Sequence, residues 1–347
     1  MEDNLRKISL FKSGPDYLVC LICAHRCKIK ENKLGVCKTI TNKDGSLYSI
    51  NYGIIVAESV DPIEKKPLFH FLPGSFSYSI ASPGCNFRCL GCQNADISQT
   101  YRDENYEEFL NYFNNIKRTL PEEIIKKALA SGASSISYKY TDPAVFFDYS
   151  LDTMRLAHKA GLKNIFVTNG YYTHESAEAT KGLLDAANVD IKFFKDENYR
   201  RVCGGTLKPV LESIKEFYSM GVHLELTTLL IDDYNNNDEE IKSIADFINS
   251  VNKDIPWHIS RFFPLYKMKD GHITNEKSLA NAYNIGKNAG LNYIYIGNVI
   301  SEKFENTYCP SCKKLLIERS GYNIIANNIT SEGNCKFCGY KIFGVFK

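Results

Sequence analysis

The sequence has no marked excess of either charge, no long apolar run and no apolar segment near its beginning. Its 42 Lys and Arg against 40 Asp and Glu give a net charge of +2, so composition provides no basic footprint for nucleic acid. No apolar run approaches the roughly 20 residues that cross a bilayer. Residues 1–14 mix charges with a few apolar residues and no apolar segment follows, so we expect neither a secretory signal nor a membrane location.

Cysteine, by contrast, is abundant, with 12 residues in a chain of 347. A chain that is not exported keeps its cysteines reduced, and grouped thiols then predict metal ligands rather than disulfides. Eleven of the cysteines fall into three groups, and Cys203 stands alone. The remaining composition, 44% hydrophobic and 24% charged, is that of an ordinary globular protein. We therefore expect a cytoplasmic metalloprotein.

The middle cysteine group has the spacing C-x3-C-x2-C, with Cys85, Cys89 and Cys92 inside Ser82-Pro-Gly-Cys-Asn-Phe-Arg-Cys-Leu-Gly-Cys-Gln-Asn94. Three thiolates can hold three irons of a four-iron four-sulfur (4Fe–4S) cluster and leave the fourth iron without a protein ligand. Clusters that only transfer electrons normally have four cysteine ligands. The pattern therefore predicts chemistry at the open iron.

The first cysteine group comprises Cys20, Cys23, Cys27 and Cys37. A C-x2-C pair lets two thiolates from one tight turn point at a single metal, and the later cysteines can complete a tetrahedron. His25 is an alternative fourth ligand. We expect a structural zinc that stabilises a small, loop-rich lobe, with an iron–sulfur site as the alternative.

The last cysteine group consists of two C-x2-C pairs, Cys309 with Cys312 and Cys335 with Cys338. Two such pairs about twenty residues apart predict a zinc ribbon or a rubredoxin-like site, and we expect zinc rather than iron. A structural or partner-docking role is the main interpretation. RNA contact is the minor alternative, because no dense basic run surrounds the group.

Between Phe76 and about Gly297, short apolar strands alternate with amphipathic helices. Strands separated by helix-length segments require parallel crossovers. About six or seven such units predict an α/β fold, namely a partial or full TIM-like (β/α) barrel. Residues 101–117 fit this rhythm poorly and are interpreted as an irregular insertion. The predicted strands are 76–81, 135–138, 164–168, 189–192, 223–230, 257–261 and 293–296.

These patterns divide the chain into three parts. Residues 1–75 are expected to form the cysteine-rich lobe and a connector, residues 76–300 the barrel, and residues 301–347 the zinc-ribbon-like appendage. The prolines and glycine of the connector, residues 61–74, indicate an ordered loop. Lys65, Lys66 and His70 could face the active site, but a solvated loop is the preferred interpretation.

Short polar motifs follow several predicted strands. Residues 138–143 follow the second strand, 168–170 the third, and His258-Ile-Ser-Arg261 ends the sixth, while Asp190 and Lys192 share one side of the fourth. Barrels of this kind place their sites where strands end and loops begin. The agreement of these motifs around the cysteine group predicts a polar ligand site there.

Cys203 lies just beyond the fourth strand, in Arg200-Arg-Val-Cys-Gly-Gly205. We interpret it as a small apolar residue in a Gly-Gly turn. A substrate contact or a hydrogen-atom donor at the barrel mouth is the alternative.

The C-x3-C-x2-C group resembles that of the radical S-adenosylmethionine (SAM) superfamily. Over nearly the whole chain, the sequence resembles the radical SAM enzyme of the AmmeMemoRadiSam system, a relative of the pyruvate formate-lyase activating enzymes. The motifs that carry this resemblance are Asp61-Pro-Ile-Glu-Lys-Lys-Pro-Leu68, Gly84-Cys-Asn-Phe-Arg-Cys89, Cys92-Gln-Asn94, Ile97-Ser-Gln99, Tyr140-Thr-Asp-Pro143, Thr168-Asn-Gly170, Asp190-Ile-Lys192, Cys203-Gly-Gly205, Pro256-Trp-His-Ile-Ser-Arg-Phe262 and Glu305-Asn-Thr-Tyr-Cys-Pro310.

The resemblance implies roles for residues of these motifs. It implies that Cys85, Cys89 and Cys92 bind the catalytic cluster, and that Tyr140, Thr141 and Asp142 stand where the superfamily holds the SAM amino group. The strand-end residues that it implies for the SAM carboxylate, directly or through a monovalent cation, are Thr168, Asn169, Asp190 and Lys192. This chain departs from the family at Gly91, where an aromatic residue is usual, and at Asp142, where Glu is usual.

The resemblance also implies a reaction. SAM would be cleaved reductively at the 4Fe–4S cluster to a 5′-deoxyadenosyl radical, which takes a hydrogen atom from a substrate that the sequence leaves open. The implied partners are an external electron donor of the flavodoxin or ferredoxin type and proteins of the MEMO and AMMECR types. Activation of a glycyl-radical enzyme is one alternative. A non-catalytic scaffold with three metal sites is the alternative of another class.

Overall fold

A computed structural model describes residues 5–99, 102, 111, 115–299 and 304–347. Most of the predicted insertion at 101–117 lies outside these residues. The chain begins with six short strands that form two three-stranded antiparallel sheets, in the orders β1-β6-β5 and β2-β3-β4. These strands are β1 Arg6–Lys7, β2 Phe11–Ser13, β3 Leu18–Cys20, β4 Lys28–Ile29, β5 Ile40–Lys43 and β6 Ser46–Ser49.

The next eight strands form one sheet in sequential order, from β7 at one edge to β14 at the other. Strand β7 pairs antiparallel with β8, and the seven strands β8 to β14 are all parallel. This arrangement confirms the predicted α/β fold with a parallel sheet. The strands are β7 Ala57–Pro62, β8 Phe76–Ala81, β9 Ser135–Tyr138, β10 Lys163–Thr168, β11 Ala186–Asp190, β12 His223–Leu230, β13 Trp257–Arg261 and β14 Ile294–Gly297.

Helices connect the parallel strands, as the crossovers require. Among the described residues these are α1 Ala95–Ser98, α2 Pro121–Ala130, α3 Phe147–Lys159, α4 His174–Ala179, α5 Asp196–Asn198, α6 Leu207–Ser219, α7 Asp238–Asn252 and α8 Glu276–Asn288. Helix α4 is short, with six residues. It ends because the Thr180 hydroxyl donates to the Ala177 carbonyl and Gly182 then adopts a φ of +71°.

The two faces of the large sheet differ in chemistry. The helix-covered face is apolar and includes an edge-to-face contact between Tyr138 and Phe166, whose ring centroids lie 5.7 Å apart. The opposite face, called the inner face below, is polar. Ser77 and Ser137 lie there with their hydroxyl oxygens 2.6 Å apart, and Glu225, further along the sheet on the same face, is fully buried. A polar inner face needs partners, since buried polar groups are costly without hydrogen bonds.

The connector supplies those partners at the end of the sheet where the parallel strands begin. The Glu225 carboxylate accepts hydrogen bonds from the backbone N–H groups of Phe69 and His70, at 3.0 and 2.6 Å. It also pairs with His223 and His258, at 3.1 and 2.6 Å. Glu225 therefore has four partners, and the two backbone donors among them hold the connector against the sheet.

The preference for a solvated connector is wrong for Lys66. Its side chain is fully buried, and its Nζ lies 2.5 Å from the Asp61 carboxylate on β7. Lys65 stays half exposed but also reaches Asp61, at 2.9 Å. Because a buried ammonium requires a counter-charge, the Asp61–Lys66 pair fixes the connector to the large sheet.

The last strands, β15 Thr307–Tyr308, β16 Leu315–Ser320 and β17 Asn323–Asn327, form a small antiparallel sheet. Arg319 on β16 is buried, donates to the Phe69 carbonyl at 2.7 Å, and lies 4.3 Å from the Phe69 ring centroid. The C-terminal sheet therefore packs on the connector. No helix in the described ranges has the length and apolarity needed to span a membrane.

His70 makes stability depend on pH. Its Nδ1 donates to the Phe343 carbonyl at 2.7 Å, which leaves Nε2 to accept from the Tyr295 hydroxyl at 2.6 Å. Burial lowers the pKa of His70 to about 4. In the unfolded chain the histidine pKa is roughly 6.5. As the pH falls, the unfolded state therefore binds a proton at His70 before the folded state does, and this destabilises the fold.

We predict that stability contributed by His70 is complete above about pH 6.5 and falls by roughly 3 kcal/mol as the pH drops towards 4. His70→Asn should flatten the dependence of the melting temperature on pH in this window, measured by thermal unfolding in a pH series. The exposed residue His272 provides the control, His272→Asn, which should keep the wild-type slope. Equal slopes for all three proteins would contradict the prediction.

Candidate active site

The cysteine loop, residues 82–94, begins where β8 ends and spans neighbouring strand ends. The Thr141 hydroxyl donates to the Ser82 carbonyl at 2.6 Å, and the Asn94 side-chain amide donates to the Tyr140 carbonyl at 2.9 Å. These two hydrogen bonds tie both ends of the loop to the end of β9. Within the loop, Gly84 has a φ of +95°, and a Cβ there would lie 2.7 Å from the Thr39 side chain.

The other side of the loop docks on the turn after β11. The backbone N–H of Arg88 donates to the Cys203 carbonyl at 2.8 Å, and that of Leu90 donates to the Val202 carbonyl at 2.9 Å. The turn is a π-helical segment, Tyr199–Cys203, a form often found at functional sites. A Cβ on Gly205 would lie 2.3 Å from the Phe87 ring, so only glycine permits this close approach.

The three cysteines of the loop are partly buried and unpaired. Burial and the Asp142 carboxylate raise the pKa of Cys85. Burial also raises the pKa of Cys92, although a hydrogen bond with the Ser98 hydroxyl acts to lower it. Thiols with raised pKa values stay protonated until a metal displaces the proton. The backbone N–H of Phe87 already points to the Cys85 sulfur, at 3.4 Å, as expected for a metal thiolate.

Cys203 lies beside the loop rather than in an isolated turn. Its thiol is buried and hydrogen-bonds with Cys89, and this contact, together with burial, raises the pKa of Cys89. The burial of Cys203 in this turn is compatible with its interpretation as a small apolar residue, and its role stays a prediction. The Gly-Gly pair that follows it packs closely against Phe87 and Arg88.

Asp142 joins two strand ends at the site. Its carboxylate accepts from the backbone N–H groups of Ala144 and Asn169, at 2.9 and 2.8 Å, and from the Thr168 hydroxyl at 2.7 Å. The Tyr172 hydroxyl lies at 3.5 Å. Burial raises the pKa of Asp142 despite these donors. Nearly all acceptor positions of the carboxylate are therefore filled by the chain itself.

The side chains of Tyr140 and Thr141 are engaged in contacts within the protein. The Tyr140 hydroxyl reaches Asp61 at 3.1 Å, and its backbone φ of +68° is uncommon for a tyrosine. The Thr141 hydroxyl is bound to Ser82. The two residues thus shape the end of β9, and their side chains serve its internal contacts.

Asp190 and Lys192 form an ion pair close to the loop. The Lys192 Nζ lies 2.7 Å from the Asp190 carboxylate, and both side chains remain partly accessible. Although burial opposes it, the Asp190 carboxylate raises the pKa of Lys192. Strand β11 ends at Asp190, two residues before the predicted end. A cation next to the thiols is well placed for an anionic ligand.

Gly91 is explained by its packing. A Cβ there would lie 3.0 Å from the Phe262 ring and 3.2 Å from the Met268 sulfur. Phe262 follows β13 and is buried. The Phe262 ring therefore occupies the space next to the loop position where related sequences are expected to carry an aromatic residue.

A second charged cluster was missed in the sequence. Lys139 lies 3.9 Å from Asp61 in the same group as Lys66, and its Nζ stands 4.1 Å from the Tyr140 ring centroid. Burial and the charge of Lys66 lower the pKa of Lys139 to about 7. The sequence did contain one sign of this cluster: Lys65 and Lys66 follow Asp61 by four and five residues, which places both lysines within reach of its carboxylate.

The C-terminal cysteines meet as predicted. The ligand atoms of Cys309, Cys312, Cys335 and Cys338 all lie within 4.8 Å of one another. Two of the sulfur pairs are 3.7 and 3.8 Å apart, close to the separation of about 3.8 Å expected for tetrahedral zinc with bonds of about 2.3 Å. A hydrogen bond from the Tyr340 backbone lowers the pKa of Cys338 to about 7, which favours the thiolate. The predicted four-cysteine cluster is confirmed.

The N-terminal cysteines share one space but are not gathered in this way. Cys20, Cys23, Cys27 and Cys37 line a pocket together with Asn86 of the cysteine loop. In the described part of the chain, the C-terminal four are the only group of three or more such residues placed to hold a single metal ion. His25, the alternative ligand, is bound to the Asn86 carbonyl at 2.8 Å.

The chain is similar in sequence to several known proteins. Residues 79–248 match the radical SAM superfamily. An uncharacterized protein of Methanocaldococcus jannaschii is 42% identical over 326 residues, which is 93% of this chain and 94% of that protein. The GTP 3′,8-cyclase of Campylobacter fetus is 24% identical over 261 residues, which is 73% of this chain and 72% of the cyclase.

Solved structures with a similar chain path have low sequence identity. A domain of pyruvate-formate lyase-activating enzyme from Bacteroides vulgatus covers 48% of this chain and 100% of its own, with a TM-score of 0.41 and 15% identity. Streptococcus suis SuiB bound to S-adenosylmethionine covers 68% of this chain and 53% of its own, with a TM-score of 0.48 and 11% identity. At these values neither similarity carries information about the substrate.

The close packing at Gly205 yields a prediction. Gly205→Ala should force Phe87 and the cysteine loop apart, at a cost of roughly 1–3 kcal/mol, and lower the iron and sulfide bound after anaerobic reconstitution. Gly161→Ala is the control: a Cβ there meets nothing within 4 Å, so it tests only the strain of a glycine with positive φ. Equal iron contents in both variants would argue against docking on the Cys203 turn.

Proposed function

The chain belongs to the radical SAM superfamily, and from that premise we propose that it is an enzyme that cleaves SAM reductively to abstract a hydrogen atom from its substrate. In this proposal Cys85, Cys89 and Cys92 hold the 4Fe–4S cluster. The supporting observation is the position of these three thiols beside the Asp190–Lys192 pair and the Asp142 network, where parallel strands end. The donor set fits the cluster, because three thiolates leave one iron open.

The cluster and SAM together supply the electron and the 5′-deoxyadenosyl radical; the residues of the chain bind and orient. We assign the SAM carboxylate to Lys192, since its side chain is 24% exposed and lies beside Cys89. Thr168 and Asn169, held by Asp142, line the neighbouring strand end. Asp190 orients Lys192 or binds a monovalent cation.

Asp142 acts mainly as a positioning residue in this proposal. Its carboxylate is already occupied by Ala144, Thr168 and Asn169, so it offers the SAM amino group only the acceptor position now faced by the distant Tyr172 hydroxyl. We assign the wall of the adenine site to Phe262, because it fills the space beside Gly91.

The finer classification rests on motif resemblance. We propose the AmmeMemoRadiSam type, with proteins of the MEMO and AMMECR types as partners and a flavodoxin or ferredoxin as electron donor. A glycyl-radical activase is the alternative within the superfamily. We also propose that the parallel sheet curls into a partial barrel around its polar inner face, and that the enzyme is cytoplasmic, because all twelve cysteines are unpaired thiols.

We propose that the C-terminal cluster binds zinc in a ribbon-like appendage. The sulfur separations of 3.7 and 3.8 Å support a single tetrahedral ion. Because β16 places Arg319 against the connector, this ion would stabilise the closed end of the sheet rather than take part in chemistry.

The proposed activity is tested by anaerobic reconstitution followed by reduction with dithionite in the presence of SAM. Wild type should form 5′-deoxyadenosine and methionine, and Cys89→Ala should lose this product by at least about a hundredfold, because an iron loses its ligand. Cys312→Ala, in the C-terminal cluster, is the control and should keep the activity of the wild type. Wild type without a reducible cluster or without 5′-deoxyadenosine would leave only the metal-scaffold interpretation.

The role of Lys192 gives a second prediction. Lys192→Met should weaken SAM binding to the oxidised, reconstituted protein by roughly ten- to hundredfold, because it removes a charge-assisted hydrogen bond. Lys195→Met changes an exposed lysine three positions further on and should leave the Kd unchanged. Anaerobic titration calorimetry measures both. Equal Kd values would remove Lys192 from the SAM site.

A further inference from the structure

We propose that the N-terminal cysteines, Cys20, Cys23, Cys27 and Cys37, bind a second 4Fe–4S cluster rather than zinc. All four line one space, although they come from the end of β3, from the turn that follows it and from the segment before β5. The convergence of four thiols from separate segments on one space is the arrangement of a metal site. The spacing of the sulfurs then decides which metal group it takes.

The C-terminal cysteines of the same chain show how thiols are placed around a single metal ion. At the C-terminal site four thiols lie within 4.8 Å of one another, as one tetrahedral ion requires. Within the described ranges, the N-terminal thiols do not form a group placed to hold a single metal ion. Neither do the three thiols of the cysteine loop, which match the radical SAM cluster motif. A cluster separates its thiolates because each one binds a different iron.

The surroundings of the N-terminal site are those of a buried cluster. The space is lined by the buried apolar residues Ile22, Ile29, Ile40 and Val145. Such residues exclude water from the large inorganic core and cannot compete as ligands. Gly35 lies between two of the thiols, and a Cβ there would stand 3.7 Å from both the Cys27 and the Cys37 sulfur. Glycine therefore leaves the centre of the site open.

Hydrogen-bond donors also point to this site. The Val36 backbone N–H lies 3.4 Å from the Cys27 sulfur, and donors to cluster sulfurs are among the factors that set the potential of a cluster. Asn86 lines the same space, and its buried Nδ2 has no partner among the residues that the structure describes. A thiolate or sulfide of a cluster would accept from this amide.

The position of the site suggests how the cluster is used. Four cysteines occupy every iron, so this cluster binds no SAM and is suited to electron transfer. Asn86 directly follows Cys85, and the Cys37 carbonyl lies 3.0 Å from the position of a Cβ on Gly84. The two iron–sulfur sites therefore share one wall. One electron from a low-potential flavodoxin or ferredoxin would reduce the N-terminal cluster from 2+ to 1+, and its transfer would reduce the loop cluster by one electron.

The test uses the full chain with Cys85→Ala, Cys89→Ala and Cys92→Ala combined, which leaves the N-terminal site intact. After anaerobic reconstitution this variant should retain about half of the acid-labile sulfide of the wild type, with the spectrum of a 4Fe–4S cluster and unchanged zinc. Acid-labile sulfide is decisive, because neither zinc nor a single iron at the C-terminal site contains any. This result does not depend on SAM cleavage, so it stands or falls separately from the proposed function.

The reciprocal variant combines Cys20→Ser and Cys37→Ser and should also lose about half of the sulfide, while zinc stays constant. Cys309→Ser with Cys312→Ser is the matched control: it should lose zinc and keep all sulfide. A triple loop variant that binds no sulfide would overturn the proposal. So would a wild type with about two zinc ions per chain, one of which disappears from the Cys20→Ser, Cys37→Ser protein.

Discussion

The site depends on one constraint: three thiols must be held apart, partly buried, at the edge where parallel strands end. Two backbone hydrogen bonds to the turn at Val202 and Cys203 hold one side of the cysteine loop, and the end of β9 holds the other. Neither anchor involves the thiols themselves. The chain therefore prepares the ligands before a metal binds, and metal binding needs to displace only their protons.

Buried charges also fix the opposite end of the sheet, where the parallel strands begin. Glu225 and Lys66 tie the connector to the inner face through buried charges, and Arg319 ties the C-terminal sheet to the connector. Breaking any one of these leaves a buried charge without its partner, which is costly. The polar inner face is thereby closed at the end where the parallel strands begin, and the cysteine loop lies at the other end.

The sequence was sufficient where the signal is local. Strand–helix alternation predicts the parallel sheet, and cysteine spacing predicts the loop and the C-terminal cluster. The sequence was insufficient where the role of a residue depends on a contact with a residue from another element. Gly91 makes sense only beside Phe262, and Lys66 is buried only because Asp61 on another element neutralises it. The N-terminal group likewise has spacing suited to zinc, but the fold, not the spacing, sets the distances between its sulfurs.

The central claim is that SAM binds at the open iron of the Cys85, Cys89 and Cys92 cluster. Electron paramagnetic resonance of the reduced protein, recorded with and without SAM, tests it most directly. The account predicts that SAM shifts the signal of one cluster and that the shift disappears when the three loop cysteines are replaced by alanine. A spectrum that SAM leaves unchanged in the wild type would contradict it.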